Sequence, residues 1–200
     1  MKAENYPAQE ESLDPSRWNE LEELGSEMVH DMMQFLKTIR SQPVWQRPGD
    51  ETRRYFDKPL PRQAQSFREV YQEFKTHILP YHLGNMHPRF WSWVMGNGSA
   101  QGMLAEMLAA GMNSNVGIGD QAAMYVDRQV IDWCKEMMNF PGESSGSLVS
   151  GASSANLNAL IVARNEANRY IRQCGLQVYS GRLVMYASTE THSCIQKAAE

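Results

Sequence analysis

Two short stretches near the end of the chain carry residue types that can do chemistry. In the first, Leu148 and Val149 lead into Ser150, Gly151, Ala152, Ser153 and Ser154, and a helical pattern then opens with Leu157, Leu160, Ile161 and Ala163 on one face. Small residues at a turn into a helix let the backbone come close to a ligand, and the first free N–H groups of the helix point at it. Such a turn suits a phosphate, although a serine N-cap on an ordinary turn reads the same way. In the second stretch, the apolar run Leu183–Tyr186 ends in Ala187, Ser188, Thr189, Glu190, Thr191 and His192, and a helical segment follows from Cys194. A histidine delivered beside a phosphate turn suggests a site for a phosphorylated aromatic cofactor.

These residues resemble a known family. Ser150 to Asn156, followed by Tyr186, Ala187, Ser188, His192, Ser193, Lys197, Ala198 and Ala199, is similar to the group II amino-acid decarboxylases. His87-Pro88-Arg89-Phe90-Trp91-Ser92-Trp93 agrees, as does Asp127-Arg128-Gln129-Val130-Ile131-Asp132-Trp133 leading to Asn139-Phe140-Pro141. The resemblance implies an α/β, aspartate-aminotransferase-like (fold type I) large domain, incomplete here and preceded by a helical arm. It implies pyridoxal 5'-phosphate (PLP) as cofactor and decarboxylation of an L-amino acid to the amine and carbon dioxide. Other PLP lyase or aldehyde-forming chemistry on the same fold is the alternative, as is a non-catalytic fragment that associates with a full-length relative.

The resemblance also implies roles. The N–H groups of Ala152 and Ser153, the Ser153 hydroxyl and Asn156 are expected to hold the cofactor phosphate. His192 is expected to stack on the cofactor ring and to act in catalysis, since an imidazole lies flat on a pyridine and also reaches a substrate carboxylate. Trp93 and Asn115 are expected at the substrate pocket. After Trp93 the aromatic-acid decarboxylases often carry an aromatic, a proline and a hydroxyl residue. This chain has Val94, Met95 and Gly96, which leaves the choice of amino acid open. The family's pyridine-contacting aspartate and Schiff-base lysine lie well downstream of the histidine motif. None of the six lysines has the family's lysine context, and Lys197 is expected to face away from the ring. The chain alone is therefore expected to be inactive.

The elements that must position these residues follow from periodicity. Asp14-Pro15-Ser16 reads as a helix start. Leu21, Leu24, Met28, Met32, Phe35 and Ile39 then make one apolar stripe, with His30 off it and solvated. Pro43 to Pro61 reads as an extended connection. Further helices are expected near 64–78, 101–112, 122–139 and 154–172, with Val126, Val130, Trp133 and Met137 facing inward on the fourth of the five. Strands are expected near 147–150 and 182–187, as neighbours in a mainly parallel sheet. Alternation at 90–93 sends Phe90 and Ser92 one way and Trp91 and Trp93 the other. The domain expectation is a helical arm over 1–86 and the first part of the PLP-binding domain over 87–200. In the family the arm packs across a partner subunit, so a homodimer is expected; an intrachain helical hairpin is the alternative.

Composition narrows the partners. A net charge of −4 over 200 residues argues against nucleic acid or an anionic membrane surface. No run approaches the roughly 18 apolar residues of a membrane span, and the first ten residues hold no apolar signal region. His82 and His87 have no Asp, Glu or Cys at ligand spacing, so no metal is expected. Three cysteines without metal-ligand spacing fit reduced thiols in a cytoplasmic protein.

Overall fold

The computed structural model describes residues 14–178 and 180–200. The chain divides into two compact units, Met1–Asn113 and Ser114–Glu200. The His87–Trp93 stretch falls within the first of these units.

In the first unit, α1 spans Trp18–Thr38 and runs into a 3-10 turn, Ile39–Ser41. It opens three residues after the expected start, with Arg17 at the cap position and paired to Glu20 in the first turn. The apolar stripe holds: Leu24 and Ile39 are buried, and His30 is exposed. The connection expected to be extended contains a short helix, α2, at Asp50–Phe56. Asp50 and Glu51 in its first turn and Arg53 and Arg54 in its last complement the helix dipole at both ends. Acids straight after Pro48-Gly49 were the signal for it. α3 spans Phe67–His77 and starts with a reciprocal capping box: Ser66 Oγ accepts from the Glu69 N–H, and Glu69 accepts from the Ser66 N–H.

α1 and α3 are tied within the one chain. The Tyr71 hydroxyl donates to Asp31 at 2.8 Å, Lys75 Nζ to the same carboxylate at 2.7 Å, and Arg68 Nη1 to Glu27 at 2.9 Å. Tyr71 is buried. Burial, and then the neighbouring Asp31, push its hydroxyl up to about 12. The Lys75 and Tyr71 hydrogen bonds hold Asp31 below its ordinary value. α2 meets α3 through Tyr55, which stacks on His77 with centroids 4.1 Å apart. α4, Ala100–Met112, is capped by the Ser99 hydroxyl and ends at Asn113 in the left-handed region.

The second unit holds α5 (Ala122–Met137), α6 (Ala152–Ala167), α7 (Tyr170–Cys174) and α8 (Ser193–Ala199). α6 stops short of the expected 172 because Asn168 turns extended and its side chain accepts from the Tyr170 N–H, starting α7 afresh. α6 and α8 pack on each other, with Cys194 buried between elements and Asn156 Nδ2 donating to its sulfur at 3.4 Å.

Two expectations are corrected. No strand forms among the described residues; 147–150 and 182–187 are exposed and carry no ladder hydrogen bonds. A strand needs a neighbour to satisfy its N–H and C=O groups, and neither segment has one here. Most of the expected inward face of α5 is also uncovered, with Val126 59%, Trp133 54% and Met137 76% exposed and Val130 half-buried. A periodic stripe marks the face a helix can bury but does not supply the surface that buries it.

Candidate functional site

The site is built where α6 and α8 begin. α6 opens at Ala152 after Gly151, which has no side chain to cap it, and the first intrahelical bond runs from the Ala155 N–H to the Gly151 carbonyl. The N–H groups of Ala152, Ser153 and Ser154 therefore have no helical acceptor. Their partial positive charge adds to the dipole end of a helix of 16 residues. α8 begins directly after His192. The His192 Nδ1 accepts from the Cys194 N–H at 3.2 Å, so the ring is the N-cap of α8 and its proton sits on Nε2.

These two helix starts share a cavity of about 360 Å³, lined by Ser153, Ser154, His192, Ser193 and Lys197 among others. Bringing Ser153 and His192 together agrees with the sequence reading. Lys197, expected to face away from the cofactor ring, also lines this cavity. The geometry of α8 explains this. Ser193 and Lys197 are four residues apart and lie on one helix face, and helical side chains lean toward the N-terminus. This spacing sets Lys197 one turn from Ser193, the first residue of α8.

The remaining expected residues lie elsewhere. Asn156 sits one turn into α6, and its amide is engaged with Cys194, so it joins α6 to α8 and does not line the cavity. Asn115 is exposed in a loop where its Oδ1 accepts from the Gly117 N–H at 2.9 Å and its carbonyl from Gln121 Nε2. Trp93, in the first unit, is 68% exposed and meets Phe90 with ring centroids 6.3 Å apart. Strand alternation is therefore not followed at 90–93. The His87 N–H bonds the Gly84 carbonyl and the Phe90 N–H bonds the His87 carbonyl, so the chain enters this stretch from consecutive turns. His87 is buried, its Nδ1 accepts from the Arg89 N–H, and its Nε2 has no partner. Among the described residues no group of three or more His, Cys, Asp or Glu is placed to hold a metal. No helix there is long and apolar enough to cross a membrane.

The donor set at the cavity fits a phosphorylated ligand: uncapped N–H groups, three serine hydroxyls, an ammonium and an imidazole, with no carboxylate on the wall. Comparison with known proteins agrees in kind. Residues 48–200 match the family described as the pyridoxal-dependent decarboxylase conserved domain. The chain belongs to the pyridoxal-dependent decarboxylase family. Among relatives of this decarboxylase-family chain, tyrosine decarboxylase 2 of Narcissus pseudonarcissus is 31% identical over 96% of the chain and 39% of that enzyme. Phenylacetaldehyde synthase of Arabidopsis thaliana is 32% identical over 94% of the chain and 39% of that enzyme. The chain thus spans about two fifths of the curated relatives it matches. In fold it is similar to Catharanthus roseus tryptophan decarboxylase, solved in complex with L-tryptophan. The TM-score is 0.77 at 22% identity, over 94% of the chain and 40% of that structure.

Proposed function

We propose that this protein takes part in PLP-dependent decarboxylation of an L-amino acid, releasing the amine and carbon dioxide, as a cytoplasmic homodimer. The observation that carries this reading is the shared cavity of Ser153 and His192, one at an uncapped helix start and the other at the cap of the next helix. The N–H groups of Ala152 and Ser153 and the Ser153 hydroxyl hold the phosphate. His192 offers a ring fixed by its Nδ1 cap bond, with Nε2–H turned to the ligand. Asn156 supports the site indirectly, by holding α6 against Cys194 of α8. Trp93 and Asn115 contribute to the substrate pocket once the rest of the fold surrounds them. PLP, when bound, supplies an electron sink for the pair left on the α-carbon as carbon dioxide departs. The exposed 147–150 and 182–187 segments and the bare α5 face are the surfaces on which the remainder of a fold type I domain and a second subunit would pack.

A second reading is favoured by one finding: an aldehyde synthase stands among the relatives beside the decarboxylases. The two differ in product. The test is to express the whole reading frame that contains these residues and supply a panel of carboxyl-labelled L-amino acids, L-tyrosine and L-tryptophan among them, with PLP. Labelled carbon dioxide with the matching amine supports the decarboxylase. Labelled carbon dioxide with the aldehyde supports the synthase. No labelled gas from any L-amino acid refutes both, and the 200-residue chain by itself is expected to release none.

A further inference from the structure

We propose that Lys197 is a phosphate-positioning residue, the one full positive charge that the site directs at the cofactor's phosphate; this rests on the cofactor reading above. Three observations carry it. Lys197 lines the cavity that also holds Ser153 and Ser154 of the first α6 turn. Among the described residues it has no ion pair and no hydrogen bond. The other lysines described with carboxylate partners, Lys75 and Lys135, are held at 2.7 Å and 3.0 Å by Asp31 and Asp132. No acidic side chain lines the cavity to neutralise it, and Glu200, the nearest acid along α8, accepts from Gln196 instead.

Placement on the helix explains why the ammonium reaches the site. Cys194 is buried and accepts from Asn156 of α6, which marks the row of α8 turned to that helix. Ser193 and Lys197 form the neighbouring row, one turn apart. Helical side chains lean toward the N-terminus of their helix, which directs a stem at Lys197 toward Ser193, a residue of the same cavity wall. An unpaired ammonium beside a helix N-terminus raises the local potential, an unfavourable arrangement unless an anion sits between them. A phosphate monoester, carrying close to two negative charges at neutral pH, is the anion that satisfies both.

The test uses 4'-deoxypyridoxine 5'-phosphate, which has ring and phosphate but no aldehyde and so cannot label lysines, beside 4'-deoxypyridoxine, which lacks the phosphate. Each is titrated by calorimetry into the purified chain and into Lys197→Met, Lys197→Gln and Lys197→Arg. The chain is expected to prefer the phosphorylated probe. Lys197→Met and Lys197→Gln are expected to weaken that probe about tenfold, without weakening the other, and Lys197→Arg to restore most of the loss. The preference in the parent is also expected to shrink as salt rises. Lys197 is exposed, so both neutral variants are expected to keep the parent's melting temperature and helical circular dichroism. A parent that prefers the phosphorylated probe, with neutral variants that prefer it equally, overturns the Lys197 role and leaves the phosphate turn standing. A parent with no preference between the probes overturns the cofactor site and the Lys197 role together.

Discussion

Tyr71→Phe offers the sharpest check on how the helical part of the chain is held. The ring is 3% exposed and stacks near Phe74, with centroids 6.1 Å apart, so phenylalanine keeps the packing and removes only the hydroxyl. What is lost is one hydrogen bond to the Asp31 carboxylate, 2.8 Å long. A hydrogen bond to a charged group contributes about 1.5–3 kcal/mol. Asp31 keeps Lys75 at 2.7 Å and its side chain is 26% exposed, which places the cost at the lower end, about 1.5 kcal/mol. The pH dependence gives the change a second signature. The Tyr71 hydroxyl ionises near 10 in the unfolded chain and is pushed up to about 12 in the fold. The neutral form is the one the fold prefers, so its contribution is intact below pH 10 and is lost as the pH rises through 12. At about 1.4 kcal/mol per pH unit, the parent's advantage over Tyr71→Phe vanishes near pH 11, about one unit into that window. Urea denaturation of both proteins at pH 7, 9, 10 and 11, followed by circular dichroism, measures the gap directly. A gap below about 0.3 kcal/mol at pH 7, or one that stays constant to pH 11, would refute the assigned bond.

Other perturbations test the remaining elements. His192→Ala removes both ring and cap and is expected to destabilise the second unit by about 1 kcal/mol, whereas His192→Asn keeps a capping oxygen and the stability; in the complete enzyme both are expected to retain PLP and to lose most turnover, and unchanged turnover would make His192 structural only. Gly84→Ala is expected to cost about 3 kcal/mol in a denaturant titration, since Gly84 holds φ +90° and an added Cβ would overlap the Val44 carbonyl oxygen. Asp31→Asn is expected to destabilise at pH 7. Because the Asp31 pKa is depressed in the fold, that cost should fade as the pH drops below the ordinary 3.8, which acid titration of parent and variant will read.

The helices were legible because their signals are local. The α1 stripe places an apolar face within the element it defines, and Asp14-Pro15 marks the start of that helix to within a few residues. What was not legible depended on groups distant in sequence. Leu148-Val149 and Leu183 to Tyr186 have the composition of strands, but a strand exists only when another satisfies its backbone, and sequence proximity does not provide one. Val126, Trp133 and Met137 show the same limit for a helix face. α2 was missed for the opposite reason: its signal is electrostatic, acids then arginines across two turns, and the flanking prolines outweighed it.

The histidines show why candidate residues are harder to read than elements. His82, His87 and His192 each follow the same local rule, with Nδ1 accepting the N–H two residues on, from Gly84, Arg89 and Cys194. Each ring is thereby fixed in the tautomer that leaves the proton on Nε2. Up to this point the three are equivalent, and nothing in the residue type separates them. Environment does. His82 packs edge-on against Phe35, and burial, then His87, draws its pKa down, which suits a neutral packing group. His87 is 3% exposed with Nε2 unpartnered, so its donor faces protein and not ligand. His192 lines a cavity shared with free N–H groups and an unpaired lysine, whereas the cavity that His82 borders holds the Asp31–Lys75 ion pair. A turn-capping histidine is thus a scaffold by default, and its candidacy rests on what stands across the cavity: unpaired donors at His192, an ion pair already closed at His82. That is why the cavity around Ser153, and not the histidine itself, decides the reading of this site.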